Sequence, residues 1–186
     1  EVQSGEQVLI MGPGPIGLMA ARLCQLRGVE DIVIVGRSHS KARLKAARQM
    51  GATQVIRSDL GEMSSLRTRH FHKALITASP SVIPEIMSFM RFGAIMAFLG
   101  IDFGPGGDVK IPMNDFHFSR LQLRASHASP ALFFPEVLHL LGSGLISAQP
   151  LVSHVFTLNQ FAQALKTAAE DKTSAIKVMI QNPELA

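Results

Sequence analysis

Gly12-Pro13-Gly14-Pro15-Ile16-Gly17 decides the fold because of what stands on either side of it. Gln7-Val8-Leu9-Ile10-Met11 runs into it as a short apolar stretch, the pattern of a strand buried in a parallel sheet. Leu18 to Arg27 follows, with polar and apolar positions mixed at helical spacing. Strand, glycine turn and helix is the setting in which G-x-G-x-x-G points to a dinucleotide. Gly12 permits the tight turn, Gly14 lets the backbone approach a pyrophosphate, and Gly17 lets the helix press on the strand. Pro15 suits the first helical turn, where a missing N–H costs nothing. The N–H groups left over, with the positive end of the helix dipole, make an anion site.

The next unit bears on the kind of dinucleotide. Asp31-Ile32-Val33-Ile34-Val35 is a second β-branched run, and Ser40 to Met50 reads as a helix stopped by Gly51. A ribose 2′-hydroxyl is ordinarily held by an acid at the end of this second strand. Gly36 stands there instead, followed by Arg37 and Ser38, and no acid occurs between Asp31 and Asp59. Lys41, Arg43, Lys45, Arg48 and Arg57 are basic, and a 2′-phosphate needs cationic and hydroxyl partners. Much of that charge also fits a solvated helix face. The missing acid beside Arg37-Ser38 favours NADP, with NAD still possible.

The chain has 186 residues, 47% hydrophobic residues and a net charge of +4, enough for one large domain or a domain with an appendage. No apolar run reaches bilayer length and no signal-peptide pattern opens the chain, so a cytoplasmic protein with no membrane contact is expected. The single Cys24 cannot form an internal disulfide or a cysteine-based zinc site. With no Trp or Tyr, nothing favours nucleic acid as a partner. The start at Glu1 suggests an excised fragment.

Further strands are expected at Thr53–Arg57, Lys73–Ala78, Ala94–Leu99 and Leu121–Ala125, with a helix from Ser79 to about Phe92 closed by Gly93. Gly61–His72 reads as polar with a short helix at best, 104–107 as a loop, and Ala131–Leu141 as an amphipathic helix. Alternating strands and helices call for a doubly wound α/β domain with a parallel sheet. Ligands bind such sheets at the carboxyl ends of the strands, so Ala78, Gly100 and Ile101 are expected near the nicotinamide half. Past Pro150 comes an extended run at Leu151–Phe156, a helix at Leu158–Asp171 opened by Thr157 or Asn159, and a strand at Ala175–Ile180. The rhythm changes there. We expect a dinucleotide-binding domain over residues 1–149 and a C-terminal appendage over 150–186 that packs elsewhere.

Gly-Pro-Gly-Pro-Ile-Gly-Leu-Met-Ala, Ile-Val-Ile-Val-Gly-Arg-Ser, Arg-Gln-Met-Gly-Ala, Phe-Leu-Gly-Ile, Pro-Leu-Val-Ser-His-Val-Phe and Ile-Lys-Val-Met-Ile occur in that order. Together they resemble the coenzyme half of zinc-dependent medium-chain dehydrogenases, with sorbitol and threonine dehydrogenases nearest in character. The resemblance covers nearly the whole chain and implies a Rossmann dinucleotide-binding domain. It implies that Ile16 packs near the coenzyme and that Lys41 lies by the adenosine ribose or its phosphate. It also places Leu99 to Ile101 and Arg124 to Ser126 beside the nicotinamide, and has Lys177 reach the pyrophosphate. The position of Gly36 is usually acidic in that family.

The family's zinc ligands precede the coenzyme domain and are absent from this sequence, so zinc is expected only in a longer parent. His70 and His72 read as a solvated pair, and His154 as a packing or capping residue. The implied reaction is hydride transfer between an alcohol, polyol or amino alcohol and nicotinamide, with the fragment inactive alone. A zinc-free quinone or enoyl reductase of the same superfamily and a non-catalytic NADP sensor remain open alternatives. The resemblance also implies a catalytic-domain partner for the tail, without which Val155, Phe156, Phe161, Leu165 and Val178 lose burial surface. Self-association into a homo-oligomer is therefore expected.

Overall fold

The computed structural model describes residues 2–127 and 130–182. Six strands form one parallel sheet: β1 (Gln7–Met11), β2 (Asp31–Gly36), β3 (Gln54–Arg57), β4 (Phe71–Ile76), β5 (Met90–Phe98) and β6 (Gln122–Ala125). Their spatial order is β3-β2-β1-β4-β5-β6, and every neighbouring pair is parallel. The chain leaves β1 toward β2 on one side and β4 takes the other side. This reversal is the switch point at which doubly wound sheets take ligands.

Side chains of β1 and β2 alternate between two core layers. Val8, Ile10, Ile32 and Ile34 enter one core layer with Leu18, Ala21 and Cys24 of α1 (Pro15–Leu26) and Ala46 and Ala47 of α2 (Lys41–Gln49). Leu9, Met11, Val33 and Val35 enter the opposite layer. There they meet Met63 and Leu66 of the 3₁₀ turn Glu62–Leu66 and Ile83, Ile86 and Met87 of α3 (Ile83–Met87). Apolar residues on both faces explain why β1 and β2 read as unbroken hydrophobic runs rather than as alternation.

The helix expected from Ser79 to Phe92 is much shorter. A 3₁₀ turn at Pro80–Val82 leads into α3, which ends at Met87, and β5 begins at Met90. Phe89 and Met90 are buried, and Phe71 donates its N–H to the Phe89 carbonyl at 2.8 Å, so sheet pairing outcompetes continued helix. Gly93 lies inside β5 with φ of 75° and absorbs an irregularity: β4 advances from Phe71 to Lys73 while β5 advances from Met90 to Ile95. The polar stretch before β4 also differs from expectation. His72 lies within the strand, accepts the Gln7 N–H on Nδ1 at 3.1 Å and meets the Arg91 guanidinium at Nε2. Desolvation, and then Arg91, hold its pKa below the usual histidine value, so it is a pinned residue rather than half of a solvated pair.

Two more helices precede the tail. α4 (Met113–Phe118) escaped the sequence reading, having Pro112 at its N-cap and no capping side chain. α5 (Pro130–Gly142) carries Pro135 inside it and exposes Leu132, Phe133, Phe134, Val137, Leu138 and Leu141.

The tail is itself a strand–helix–strand unit: β7 (Val152–Thr157), α6 (Phe161–Glu170) and β8 (Lys177–Gln181). β7 and β8 pair in parallel as a separate two-stranded sheet, so the βα rhythm resumes rather than stops. Thr157 opens the helical stretch with a capping box to Gln160. The tail is fastened to α2: the Ala42 N–H reaches the Thr173 carbonyl at 3.0 Å, and Arg43 Nε reaches that of Ala175 at 2.9 Å. Leu151 is buried in the layer beneath α1 and α2. Val155, Phe161 and Leu165 stay more than half exposed, at 53%, 55% and 60%.

One carboxylate holds the turn at this junction. Asp171 accepts the Ser174 hydroxyl and the N–H groups of Ser174 at 2.7 Å and Thr173 at 2.9 Å. These bonds, the Ser174 hydroxyl first, lower its pKa to about 2. A depressed folded pKa means that the stabilisation is present above the unfolded value and is lost as pH falls from about 4 toward about 2. Thr173 and Ser174 amide resonances should titrate across that window, and Asp171→Asn should abolish the titration.

Candidate functional site

The groove begins at the end of β1. Gly12 has φ of 109°, which favours glycine, and Thr77 Oγ1 lies where a Gly12 Cβ would come, at 2.6 Å. Thr77 donates that hydroxyl to the carbonyls of Met11 or Gly12 at 3.0 and 3.1 Å, bracing the turn from β4. Sequence reading missed Thr77, because only the β1–β4 pairing brings it to the turn. Gly17 is pressed against the strand: a Cβ there would stand 2.1 Å from the Gly12 carbonyl oxygen. Gly14 is different. It caps α1 in an ordinary extended conformation, and a Cβ there would meet nothing within 4 Å.

The first intrahelical bond of α1 runs from the Leu18 N–H to the Gly14 carbonyl at 2.9 Å. Pro15 has no N–H, so Ile16 and Gly17 present theirs at the helix start. No side chain caps this end and no acid occupies the first turn. Ile16 is 57% exposed beside it. The end of this twelve-residue helix can accept an anion by its N–H groups and its dipole.

The neighbouring strand ends line up with it. Ala78 follows β4, and the N–H groups of Thr77 and Ala78 both reach the Met11 carbonyl, at 2.9 and 3.0 Å. Leu99 and Gly100 follow β5 and bond the Ile76 carbonyl at 2.9 and 3.2 Å. A Cβ on Gly100 would stand 1.7 Å from the Ala78 carbonyl oxygen, so only glycine lets these two strand ends close. Ile101 is exposed beyond them. Ser79 then ties down the following loop, donating to Asp102 at 2.7 Å, while Asp102 also accepts the Gly104 N–H at 2.9 Å. These bonds hold the Asp102 carboxyl below the usual range, Ser79 contributing most.

Gly36, Arg37 and Ser38 form the other end of the row, after β2, and Lys41 opens α2 beside them. A Cβ on Gly36 would fall 2.6 Å from Pro13 Cγ and 2.9 Å from Leu44 Cδ2. Any side chain at position 36 would have to displace these two neighbours. Arg37 and Lys41 have no side-chain partner among the described residues, whereas two other basic residues are committed to structure. Arg57 is paired with Glu62, and Arg43 holds the tail. Lys41, Lys45 and Arg48 line a cleft of about 800 Å³ that starts at Ser38 and runs down between α2 and β3. Lys177 stands apart, exposed in β8, with no hydrogen bond or ion pair to the glycine turn.

An acid does reach this end, from β3. Asp59 accepts the Ser38 N–H at 2.8 Å and the Ser38 hydroxyl at 2.7 Å. The hydroxyl bond first, and then the N–H, hold its carboxyl below the usual range, so it is ionised at neutral pH.

Among the described residues no three His, Cys, Asp or Glu side chains come together to hold a metal ion, and Cys24 is buried in the core layer under α1. The described residues therefore do not fit a zinc site. No helix of the described residues is long and apolar enough to cross a membrane.

Residues 15–143 match the family model described as zinc-binding dehydrogenase, and the chain belongs to that family. An L-threonine 3-dehydrogenase of Shewanella woodyi is 33% identical over 166 residues, which cover 86% of this chain and 47% of the relative. That of Serratia proteamaculans is 30% identical over 166 residues, again 86% of this chain and 47% of the relative. The chain spans about half the length of the curated relatives it matches. Two solved structures share the fold. One is an E. coli CFT073 protein described as a short chain alcohol dehydrogenase and complexed with NADH, with TM-score 0.85 and 23% identity over 96% of this chain and 53% of the other. The other is a Sinorhizobium meliloti 1021 protein bound to NADP, with TM-score 0.85 and 21% identity over 97% and 54%.

Proposed function

We propose that this chain is the coenzyme-binding half of a dehydrogenase that moves hydride between the carbinol carbon of an alcohol, polyol or amino alcohol and nicotinamide C4. The observation that carries the reading is the row itself. An uncapped helix start at Ile16 and Gly17 sits at the β1/β4 switch point, flanked by the ends of β2, β4 and β5. The pyrophosphate lies on that helix start, the adenosine end at Arg37, Ser38 and Lys41, and the nicotinamide end along Ala78, Leu99, Gly100 and Ile101. The bound nicotinamide supplies the hydride acceptor. This chain's contribution is to hold its ring at a fixed place, with the loop after β5 tied down through Ser79 and Asp102. The substrate meets the ring through a catalytic domain beyond this sequence, and the threonine dehydrogenase relatives keep an amino alcohol among the substrate classes. In that assembly Lys177 approaches the pyrophosphate.

NADP(H) is the preferred coenzyme. Its support is Arg37 and Lys41, both without side-chain partners among the described residues at the ribose end. Arg37→Ala should remove one charge-assisted contact of about 1.5–3 kcal/mol, so NADP(H) affinity should fall about tenfold or more while NAD(H) affinity barely changes. Calorimetric titration of both coenzymes checks this, and equal affinities in the unaltered chain would sink the preference. A homo-oligomer belongs to the same reading, supported by the exposed apolar residues of α5 such as Phe133 and Phe134, each 60% exposed.

A further inference from the structure

We propose that Asp59 sets how sharply this site distinguishes a ribose 2′-hydroxyl from a 2′-phosphate, an inference that rests on reading the groove as a dinucleotide site. The acid ordinarily found at the end of β2 is replaced by Gly36, where a Cβ would come within 2.6 Å of Pro13 Cγ and 2.9 Å of Leu44 Cδ2. β3 supplies one instead. Gly36 pairs with Arg57 in the sheet, and the 3₁₀ turn Ser58–Leu60 that follows swings Asp59 back onto Ser38. The two contacts of 2.8 and 2.7 Å engage both the N–H and the hydroxyl of Ser38.

This arrangement acts in two ways. The carboxylate places a negative charge at the ribose end, where it accepts a hydrogen bond from a 2′-hydroxyl and repels a 2′-phosphate. It also occupies the two Ser38 donors that a 2′-phosphate would otherwise use. Arg37 and Lys41 pull the other way, so the selectivity of the wild-type site is the difference between these opposing contributions. Gly36 therefore does not mark an acid-free pocket. The acid has moved one strand along the sheet and acts partly through Ser38, as a positioning residue as well as a charge.

Isothermal titration of adenosine 2′,5′-bisphosphate and adenosine 5′-phosphate, with NADP⁺ and NAD⁺ alongside, tests this on the wild-type chain and on Asp59→Asn and Asp59→Ala. Both variants should bind the bisphosphate about tenfold more tightly at low ionic strength, while the monophosphate, having lost the acceptor for its 2′-hydroxyl, should bind no more tightly than to the wild-type chain. Adding Ser38→Ala to Asp59→Ala should cancel part of the gain, since the freed hydroxyl is one of its sources. Equal changes for both nucleotides would mean a merely structural role and overturn the proposal. So would an unchanged bisphosphate affinity in a chain that still binds either dinucleotide. A wild-type chain that binds no dinucleotide would overturn the groove reading itself, and this inference with it. Thermal melts of each variant separate lost folding from altered recognition.

Discussion

Gly14→Val should abolish dinucleotide binding and leave the fold intact. The two halves of that result have separate causes. A Cβ at position 14 meets no atom within 4 Å, and Gly14 has an extended backbone that valine adopts readily, so the unliganded chain tolerates the change. The empty space beside Gly14 is also the approach to the N–H groups of Ile16 and Gly17, which a pyrophosphate must reach to within hydrogen-bond distance. Two charge-assisted bonds of about 1.5 kcal/mol or more each amount to at least a hundredfold in affinity. Circular dichroism and thermal melting should match the wild type, while coenzyme titration should show a loss of about two orders of magnitude or more. Retained binding would move the phosphate site elsewhere.

Gly17→Ala, one turn along the same helix, should do the reverse and damage the fold. Its added methyl would stand 2.1 Å from the Gly12 carbonyl oxygen, and a backbone atom has no alternative rotamer. Either α1 lifts from β1 or the turn deforms, and both loosen the layer holding Leu18, Ala21 and Ile10. Overpacking of this kind costs about 1–3 kcal/mol and more where backbone must move, which for a chain of this size lowers the melting temperature by roughly 5–10 °C. A melting temperature within about 1 °C of the wild type would contradict this close approach of helix and turn. Read together, the two variants separate a glycine required by a ligand from a glycine required by packing.

The first two βα units were legible because their signals are local. Buried parallel strands are apolar on both faces, and Gly12 to Gly17 punctuate them at a spacing that only one kind of turn explains. The site's braces were not legible, because they are made by partners far apart in sequence. Thr77 meets the glycine turn across 65 residues, Ser79 meets Asp102 across 23, and Asp59 meets Ser38 across 21. Absence of an acid between Asp31 and Asp59 was a correct reading of order and a misleading reading of space, because Asp59 itself returns to the end of β2. Ser58-Asp59-Leu60-Gly61 held a hint: Gly61 is left-handed with φ of 74°, and a glycine after a short polar run signals a chain that turns back. The helix expected up to Phe92 failed for a different reason. Phe89 and Met90 are apolar enough for either helix or strand, and the pairing of Phe71 with Met90 decided the competition. The tail's strand, helix and strand were expected close to where they lie, but their pairing into one βαβ unit was not, because the two-stranded sheet leaves residues such as Val155 and Met179 exposed and so lacks the buried-strand signal.

Backbone amide NMR of the isotope-labelled chain during titration with NADP⁺ tests the central claim most directly. Chemical-shift changes should concentrate at Gly12, Gly14, Ile16 and Gly17, extend to Arg37 and Ser38 at one end, and reach Ala78 and Leu99 to Ile101 at the other. Perturbation confined to the small sheet of β7 and β8, or a chain that shows no saturable change at all, would contradict the account.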